Sequence, residues 1–347
     1  MLREFDHLPP GLLDRDSAGL EALLGAPTLI HLPGVRDPAL FVCVLMHGNE
    51  TVGWDALRAL LAARIARFGE LRLPRRLSLF IGNVSAAASR VRHLPGQPDY
   101  NRVWPGSELP PSREQELMAE VVQIMAGRGV FASIDLHNNT GSKPHYACVN
   151  RLDNRFLHLA TLFSRTVVYF LRPTGVQSMA LAGLCPSITV ECGRVGEAAG
   201  VSHARELIDA ALHLSEIPDH PIPHQDLDLF HTVARVQVPE HLSFGFPPDE
   251  AALLLDPQIE HYNFRELPTG TPFARVNGGA PRDVLPLEVR DEHGADVSER
   301  YFEIEHGEVR LRQRVMPSML TRNQAVIRQD CLGYLMERYD QHIPRKA

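Results

Sequence analysis

The sequence lacks the features of a disulfide-stabilised protein or a zinc ribbon. Its 347 residues include only five cysteines, which are scattered, odd in number and form no CxxC pair. Such a set argues against both a disulfide framework and a zinc ribbon. Most of these cysteines lie in apolar, strand-like runs, so we expect buried thiols in a reducing compartment.

The chain also lacks a basic block and a long apolar run. Lysine is nearly absent, arginine supplies most of the positive charge, and the formal net charge is −7. Nucleic-acid-binding proteins normally carry a basic excess, so we expect no nucleic-acid partner. No apolar run approaches the ~20 residues of a membrane span, and residues 1–14 lack the apolar stretch of a signal peptide. We therefore predict a soluble, cytoplasmic protein that binds no membrane.

What the sequence does contain is an alternation of apolar runs and helical patterns over its first two-thirds. This alternation predicts an α/β fold with a mostly parallel or mixed sheet. Predicted strands lie at residues 40–46, 76–84, 130–136, 167–171 and 187–192, and predicted helices at 51–68, 112–126 and 202–214.

The pattern changes after about residue 216. A proline-rich stretch at 218–223 resembles a linker, and short β-rich runs follow at 232–238 and 301–311, separated by Pro/Gly turns. A chain of this length suits about two domains of ~150 residues. We therefore predict a catalytic domain at 1–217 and a smaller, mainly β C-terminal domain at 218–347.

The first candidate site is His47 and Glu50, between a buried strand and a helix. Ligands of open α/β sheets gather beyond the carboxyl ends of strands, and imidazole and carboxylate are both zinc ligands. Gly48 permits a tight turn there. The spacing alone is weak evidence, because two pairs in a predicted helix share it: His203/Glu206 and His213/Glu216.

Two further polar residues interrupt buried strands. His137 could supply the third ligand of a catalytic zinc, with Asp135 orienting a ligand, although a histidine that only hydrogen-bonds at a strand end is the alternative. Glu191 could be a general base, because a carboxylate is rarely buried without a partner. Its alternative is an ion pair with Arg194. Cys192 has no nucleophile signature and is expected to be a buried thiol.

The loop at residues 92–106 is rich in turns and contains Arg92, Asn101 and Arg102. Two arginines could grip a carboxylate and stabilise an oxyanion. The alternative is a solvated loop with surface arginines.

Four motifs occur in a fixed order: HGNE at 47–50, DYNRVWPG at 99–106, DLHNNTG at 135–141 and TVECG at 189–193. Together they resemble the succinylglutamate desuccinylase/aspartoacylase family of the zinc carboxypeptidase superfamily, over about residues 40–215. The resemblance implies a mixed-sheet, zinc carboxypeptidase-like catalytic domain. The sequence departs from the family pattern at Tyr100, where Leu is usual, and at Trp104, where Phe is usual.

The resemblance also implies a role for each matching position. His47, Glu50 and His137 would hold one Zn²⁺ per chain, and Glu191 would be the catalytic glutamate. Arg92, nine residues after Asn83, would polarise the scissile carbonyl. The pair Asn101 and Arg102 would hold a free carboxylate of the substrate.

The function implied is hydrolysis of the amide bond of an N-acyl amino acid, a small-molecule carboxylate. Two alternatives remain open: a metallocarboxypeptidase acting on short peptides, and a non-catalytic carboxylate-binding module. In this family the C-terminal domain narrows access to the site, which favours small substrates. The oligomeric state is open, with a homo-oligomer as one option.

Overall fold

A computed structural model describes residues 1–139, 141, 143–277 and 284–339 of the chain. The strands are β1 (Arg3–Phe5), β2 (Thr28–Leu32), β3 (Arg36–Val44), β4 (Arg75–Ile81), β5 (Val130–Asn139), β6 (Tyr146–Val149), β7 (Thr166–Tyr169), β8 (Ser187–Arg194), β9 (Asp228–Gln237), β10 (Phe244–Gly245), β11 (Leu253–Leu255), β12 (Pro272–Val276), β13 (Glu288–Asp291), β14 (Phe302–Glu305), β15 (Glu308–Leu311), β16 (Met316–Ser318) and β17 (Gly333–Arg338). The α-helices are α1 (Leu20–Leu24), α2 (Val52–Phe68), α3 (Val84–Ser89), α4 (Arg113–Arg128), α5 (Asn154–Thr161), α6 (Gln177–Leu181), α7 (Ala198–His213), α8 (Ser298–Tyr301) and α9 (Gln324–Gln329), and 3₁₀ turns lie at Leu12–Asp14, Ser17–Gly19, His224–Asp226 and Ile259–Tyr262.

A large mixed sheet organises the molecule. Its strand order is β1-β2-β4-β3-β5-β8-β6-β7-β9-β17-β16, with β13 paired to β9. The central strands β4, β3, β5 and β8 are mutually parallel, whereas β2 and β6 pair antiparallel with their neighbours β4 and β8. The carboxyl ends of the parallel strands therefore meet at one edge of the sheet.

Both faces of the central strands are buried. In β3, Val42 and Val44 belong to the apolar cluster formed with α2, α5 and α7, whereas Phe41 and Cys43 belong to the cluster formed with α4. A strand covered on both faces has no polar side, which is why β3 appears in the sequence as a continuous apolar run. The predicted α/β class with a mixed sheet is confirmed.

The region after residue 218 contributes to two sheets. Strand β9 continues the large sheet, pairing with β7 on one side and β17 on the other. A second, smaller sheet follows in the order β10-β11-β12-β15-β14. The predicted β run at 301–311 is the short helix α8 ending at Tyr301, then a β14–β15 hairpin that turns at His306 and Gly307, both with positive φ.

The division of the chain at 217/218 stays a prediction, because the large sheet continues across it. Among the described residues, no helix has the length and apolar character needed to cross a membrane.

Candidate metal centre and catalytic site

Three side chains converge at the carboxyl edge of the central strands. His47 and Glu50 lie in the link between β3 and α2, and His137 lies near the end of β5. One ligand atom from each falls within 4.8 Å of the others, and all three residues are buried. Among the described residues, no other group of His, Cys, Asp and Glu side chains meets this criterion.

The imidazole rings are oriented so that equivalent nitrogens face the same carboxylate. Nδ1 of His47 lies 2.8 Å from Glu50 Oε1, and Nδ1 of His137 lies 2.8 Å from Glu50 Oε2. The Nε2 atoms point away: that of His47 lies 3.0 Å from Asp99 Oδ1, and that of His137 lies 2.8 Å from Asp135 Oδ2. A carboxylate on the far nitrogen fixes the tautomer that leaves Nδ1 free to bind a metal.

This donor set fits a zinc ion. Two imidazole nitrogens and one carboxylate are a known catalytic set that leaves a fourth position for water or substrate. The orienting contact from Asp135 agrees with the sequence prediction. The contact from Asp99 to His47 was not predicted, since the two residues are far apart in sequence and no local pattern joins them.

Gly48 is required by packing rather than by a left-handed turn. A Cβ at this position would lie 2.2 Å from the backbone carbon of Ala86 in α3. The Gly48 amide also donates to the carbonyl of Arg92, at 3.0 Å. The absent side chain therefore lets the metal-ligand segment lie directly against α3 and the loop that carries Arg92.

Glu191 faces the same cavity from the neighbouring strand β8. In the register of the parallel pair it lies opposite His137 of β5. Its Oε2 is buried with no hydrogen-bond partner in the described part of the chain. Burial raises the pKa of Glu191 to about 7, with a further contribution from Glu50, while His137 opposes the shift. A carboxyl group with such a pKa can both accept and release a proton near neutral pH.

The alternative ion pair of Glu191 with Arg194 is wrong, and the expected burial of Cys192 is confirmed. Arg194 pairs with Glu260 at 3.1 Å and not with Glu191. Cys192 is fully buried, and burial raises the pKa of its thiol well above the usual value, so the protonated form persists. A protonated, buried thiol is a poor nucleophile.

The arginines of the 92–106 loop are partly buried ion-pair partners rather than surface groups. Arg92 donates through Nε and Nη2 to Asp99 Oδ2, at 3.1 and 2.8 Å. Burial raises the pKa of Asp99, but Arg92 and His47 outweigh this effect and hold it well below the usual value. Nη2 of Arg102 lies 3.2 and 3.1 Å from the two carboxylate oxygens of Asp330.

Asn101 is tied to the metal-ligand cluster. Its Nδ2 lies 3.3 Å from His137 Nε2, and its Oδ1 accepts from the backbone amide of Gln177 at 3.2 Å.

These groups surround a cavity of about 110 Å³. All seven residues named from the sequence face it: His47, Glu50, Arg92, Asn101, Arg102, His137 and Glu191. Sequence reasoning missed Lys143, Asp330 and Tyr334, which also line it. Burial lowers the pKa of Lys143 to about 8. Lys143 could have been singled out because lysine is rare in this chain and this one lies two residues after the DLHNNTG motif. Nothing in the sequence singles out Asp330.

Comparison with known proteins agrees with this architecture. The profile of the succinylglutamate desuccinylase/aspartoacylase catalytic domain matches residues 36–215. The succinylglutamate desuccinylase of Chromobacterium violaceum is 19% identical with a TM-score of 0.56, over 88% of this chain and 85% of that one. Murine aminoacylase 3 is 18% identical with a TM-score of 0.56, over 88% of this chain and 97% of that one.

A further structure, a succinylglutamate desuccinylase/aspartoacylase from Rhodobacter sphaeroides, is 15% identical with a TM-score of 0.55, over 89% of this chain and 88% of that one. Among curated proteins, none matches this sequence. At these identities the solved structures establish the shared fold, while the choice of substrate rests on the residues of the cavity.

Proposed function

The chain belongs to the succinylglutamate desuccinylase/aspartoacylase family, a family of zinc amidohydrolases, and on that premise we propose that it hydrolyses the amide bond of N-acyl amino acids. The observation that carries the proposal is the convergence of His47, Glu50 and His137 beside Glu191 in one cavity. One zinc ion per chain is proposed to bind these three residues. The five cysteines are free, which supports the proposed cytoplasmic location.

The zinc ion would supply Lewis acidity and lower the pKa of a water molecule. Glu191 is proposed to accept a proton from the attacking water. The water oxygen bonds to the acyl carbon, and the C–N bond of the amide then breaks. Glu191 returns the proton to the leaving amine, so that the products are a carboxylate and an amino acid. Its pKa of about 7 suits both transfers.

Arg92 is proposed to stabilise negative charge on the carbonyl oxygen. Its Nη1 lies 3.9 Å from Glu50 Oε1, so the guanidinium is beside the metal-ligand cluster. A fixed cationic donor at a developing oxyanion contributes about 3–4 kcal/mol to transition-state stabilisation. Asn101 and Arg102 are proposed to orient the substrate through its carboxylate.

The test combines metal analysis with a substrate panel. We expect one zinc per chain and turnover of N-acyl amino acids. Turnover of dipeptides alone would favour a metallocarboxypeptidase. Absence of activity with zinc present would favour a carboxylate-binding module.

The decisive variant is Glu191→Gln. We expect it to abolish turnover while the zinc content stays at the wild-type level, because the amide keeps the shape of the side chain but cannot accept the proton. Metal analysis and initial rates measured on the same preparation check this. Loss of zinc in the variant would mean that Glu191 supports the metal rather than the proton transfer.

A further inference from the structure

The carboxylate that occupies the arginine pair comes from the C-terminal part of the chain. Asp330 lies 238 residues after Arg92 and 228 after Arg102. Its Oδ2 is 3.4 Å from Nη2 of Arg92 and 3.1 Å from Nη2 of Arg102. One side chain therefore contacts both of the guanidinium groups to which carbonyl and carboxylate recognition were assigned.

Asp330 is held by the backbone on both sides. It ends helix α9, where its amide donates to the carbonyl of Val326 at 3.0 Å, and strand β17 begins at Gly333. Its own carbonyl accepts from the Gln237 side chain at 3.4 Å. A residue fixed between a helix and a sheet strand presents its carboxylate in a defined place.

Both terminal nitrogens of the Arg102 guanidinium are already engaged within the protein. Nη1 donates to the carbonyl of Asn101 at 2.8 Å, and Nη2 donates to Asp330. A substrate carboxylate that pairs with a guanidinium in a bidentate manner needs two such N–H groups. A ligand carboxylate that uses Nη2 must displace Asp330 or share this donor with it.

The charges of the two arginines and of their two hydrogen-bonded aspartates balance. Arg92 and Arg102 carry two positive charges, and Asp99 and Asp330 carry two negative ones. Arg102 and Arg92 outweigh the effect of burial and lower the pKa of Asp330, so its carboxylate is ionised. An additional anion therefore meets a neutral group of side chains. Removal of the Asp330 charge would leave the partly buried Arg102 without its ion-pair partner, which favours uptake of an anion.

Asp330 also lies between the catalytic cavity and an adjoining cleft. Together with Arg102, Arg172 and Tyr334 it lines both the catalytic cavity and an adjoining cleft. A ligand that passes between these two spaces meets the Asp330–Arg102 pair.

From these contacts we propose that Asp330 is a specificity-determining residue, an internal carboxylate that occupies Arg92 and Arg102 and lowers the affinity of the cavity for small carboxylates. The proposal rests on the proposed function only in taking this cavity as the substrate site. It makes the C-terminal region a direct contributor to ligand choice, through one charged side chain.

The test is the isosteric variant Asp330→Asn. Calorimetric titration with succinate, and with neutral succinamide as its matched ligand, is carried out on zinc-loaded and zinc-depleted protein. We expect Asp330→Asn to bind succinate about tenfold more tightly than the wild type, because a charge-assisted pair with arginine is regained. Binding of succinamide should be unchanged.

Asp228→Asn is the control for a general effect of net charge. Asp228 pairs with Arg165 at 2.8 Å and lies outside both cavities, so its substitution should leave succinate binding unchanged. If Asp330→Asn binds succinate as tightly as the wild type or more weakly, the proposal is wrong. Asp330 would then serve to position the arginines. A similar gain in Asp228→Asn would also overturn the proposal.

The kinetic form of the test separates the two proposals. If N-acyl amino acids are hydrolysed, Asp330→Asn should lower KM for substrates with a free carboxylate and leave KM for the matching carboxamides unchanged. A loss of folding would change both ligand classes equally. If no substrate is hydrolysed, the proposed function fails, but the calorimetric comparison still decides the role of Asp330.

Discussion

Two aspartates hold the imidazole nitrogens that face away from the ligand cluster. Asp135 is fully buried and contacts His137, whereas Asp99 contacts His47 and is shared with Arg92. Because each aspartate fixes one tautomer, the Nδ1 atoms of both histidines are prepared for a metal. We therefore expect the metal affinity of this site to depend on residues that would not touch the metal.

We predict that Asp135→Asn weakens zinc binding about 10–100-fold, because a neutral amide orients His137 less firmly and makes it less basic. Competition with a chromogenic chelator measures the dissociation constant. Asp37→Asn is the matched control, since Asp37 pairs with Arg76 at 3.0 Å at the amino end of β3, opposite to the edge that carries the cluster. An unchanged dissociation constant in Asp135→Asn would show that the ligand geometry is held without it.

The segment that links β3 to α2 is held in place by close packing against α3 and by hydrogen bonds. Glu50 accepts from the amide of Asn138 at 3.1 Å, and the Asn138 side chain accepts from the amide of Val52 at the start of α2. The ligand segment is therefore joined to β5 and α2 by hydrogen bonds and to α3 by direct packing at Gly48. A change in any of these contacts should displace His47 and Glu50 together.

We predict that Gly48→Ala destabilises the protein by at least about 2 kcal/mol and reduces its zinc content, because the new methyl group meets backbone atoms that no side-chain rotation can move. Denaturant unfolding and metal analysis check this. Gly127→Ala is the control: Gly127 lies in α4 with open space around its Cα, so alanine should stabilise the protein by up to about 1 kcal/mol. Normal stability in Gly48→Ala would contradict the packing argument.

In the whole molecule, we expect metal binding and folding to be coupled. The three ligands come from two segments, and Asp99 and Asp135 support them, so a bound ion links several parts of the native fold. A ligand that binds only the native state stabilises it by about 2.7 kcal/mol at a free concentration one hundred times its dissociation constant.

We therefore predict that chelation lowers the melting temperature by several degrees, and that added zinc restores it. Scanning calorimetry at known free zinc measures the shift. His137→Ala should lose zinc and show no response to chelator. If that variant retains one zinc per chain, His137 is not a ligand.

Local sequence patterns were enough to predict the fold class and to nominate the residues of the candidate site. Buried parallel strands appear as continuous apolar runs, and polar residues that follow them gather at one edge of the sheet. His47, Glu50, His137 and Glu191 could be found because each interrupts or follows such a run. The order of four local motifs then identified the family.

Tertiary structure alone decided the contacts between distant segments. The Asp99–His47 contact, the reason for Gly48 and the placement of Asp330 on two arginines join parts of the chain that share no periodicity. An ion pair leaves no spacing pattern in sequence when its partners are separated by more than two hundred residues. Only the folded chain, in which β17 extends the sheet and Asp330 follows α9, brings the carboxylate of Asp330 to the two arginines.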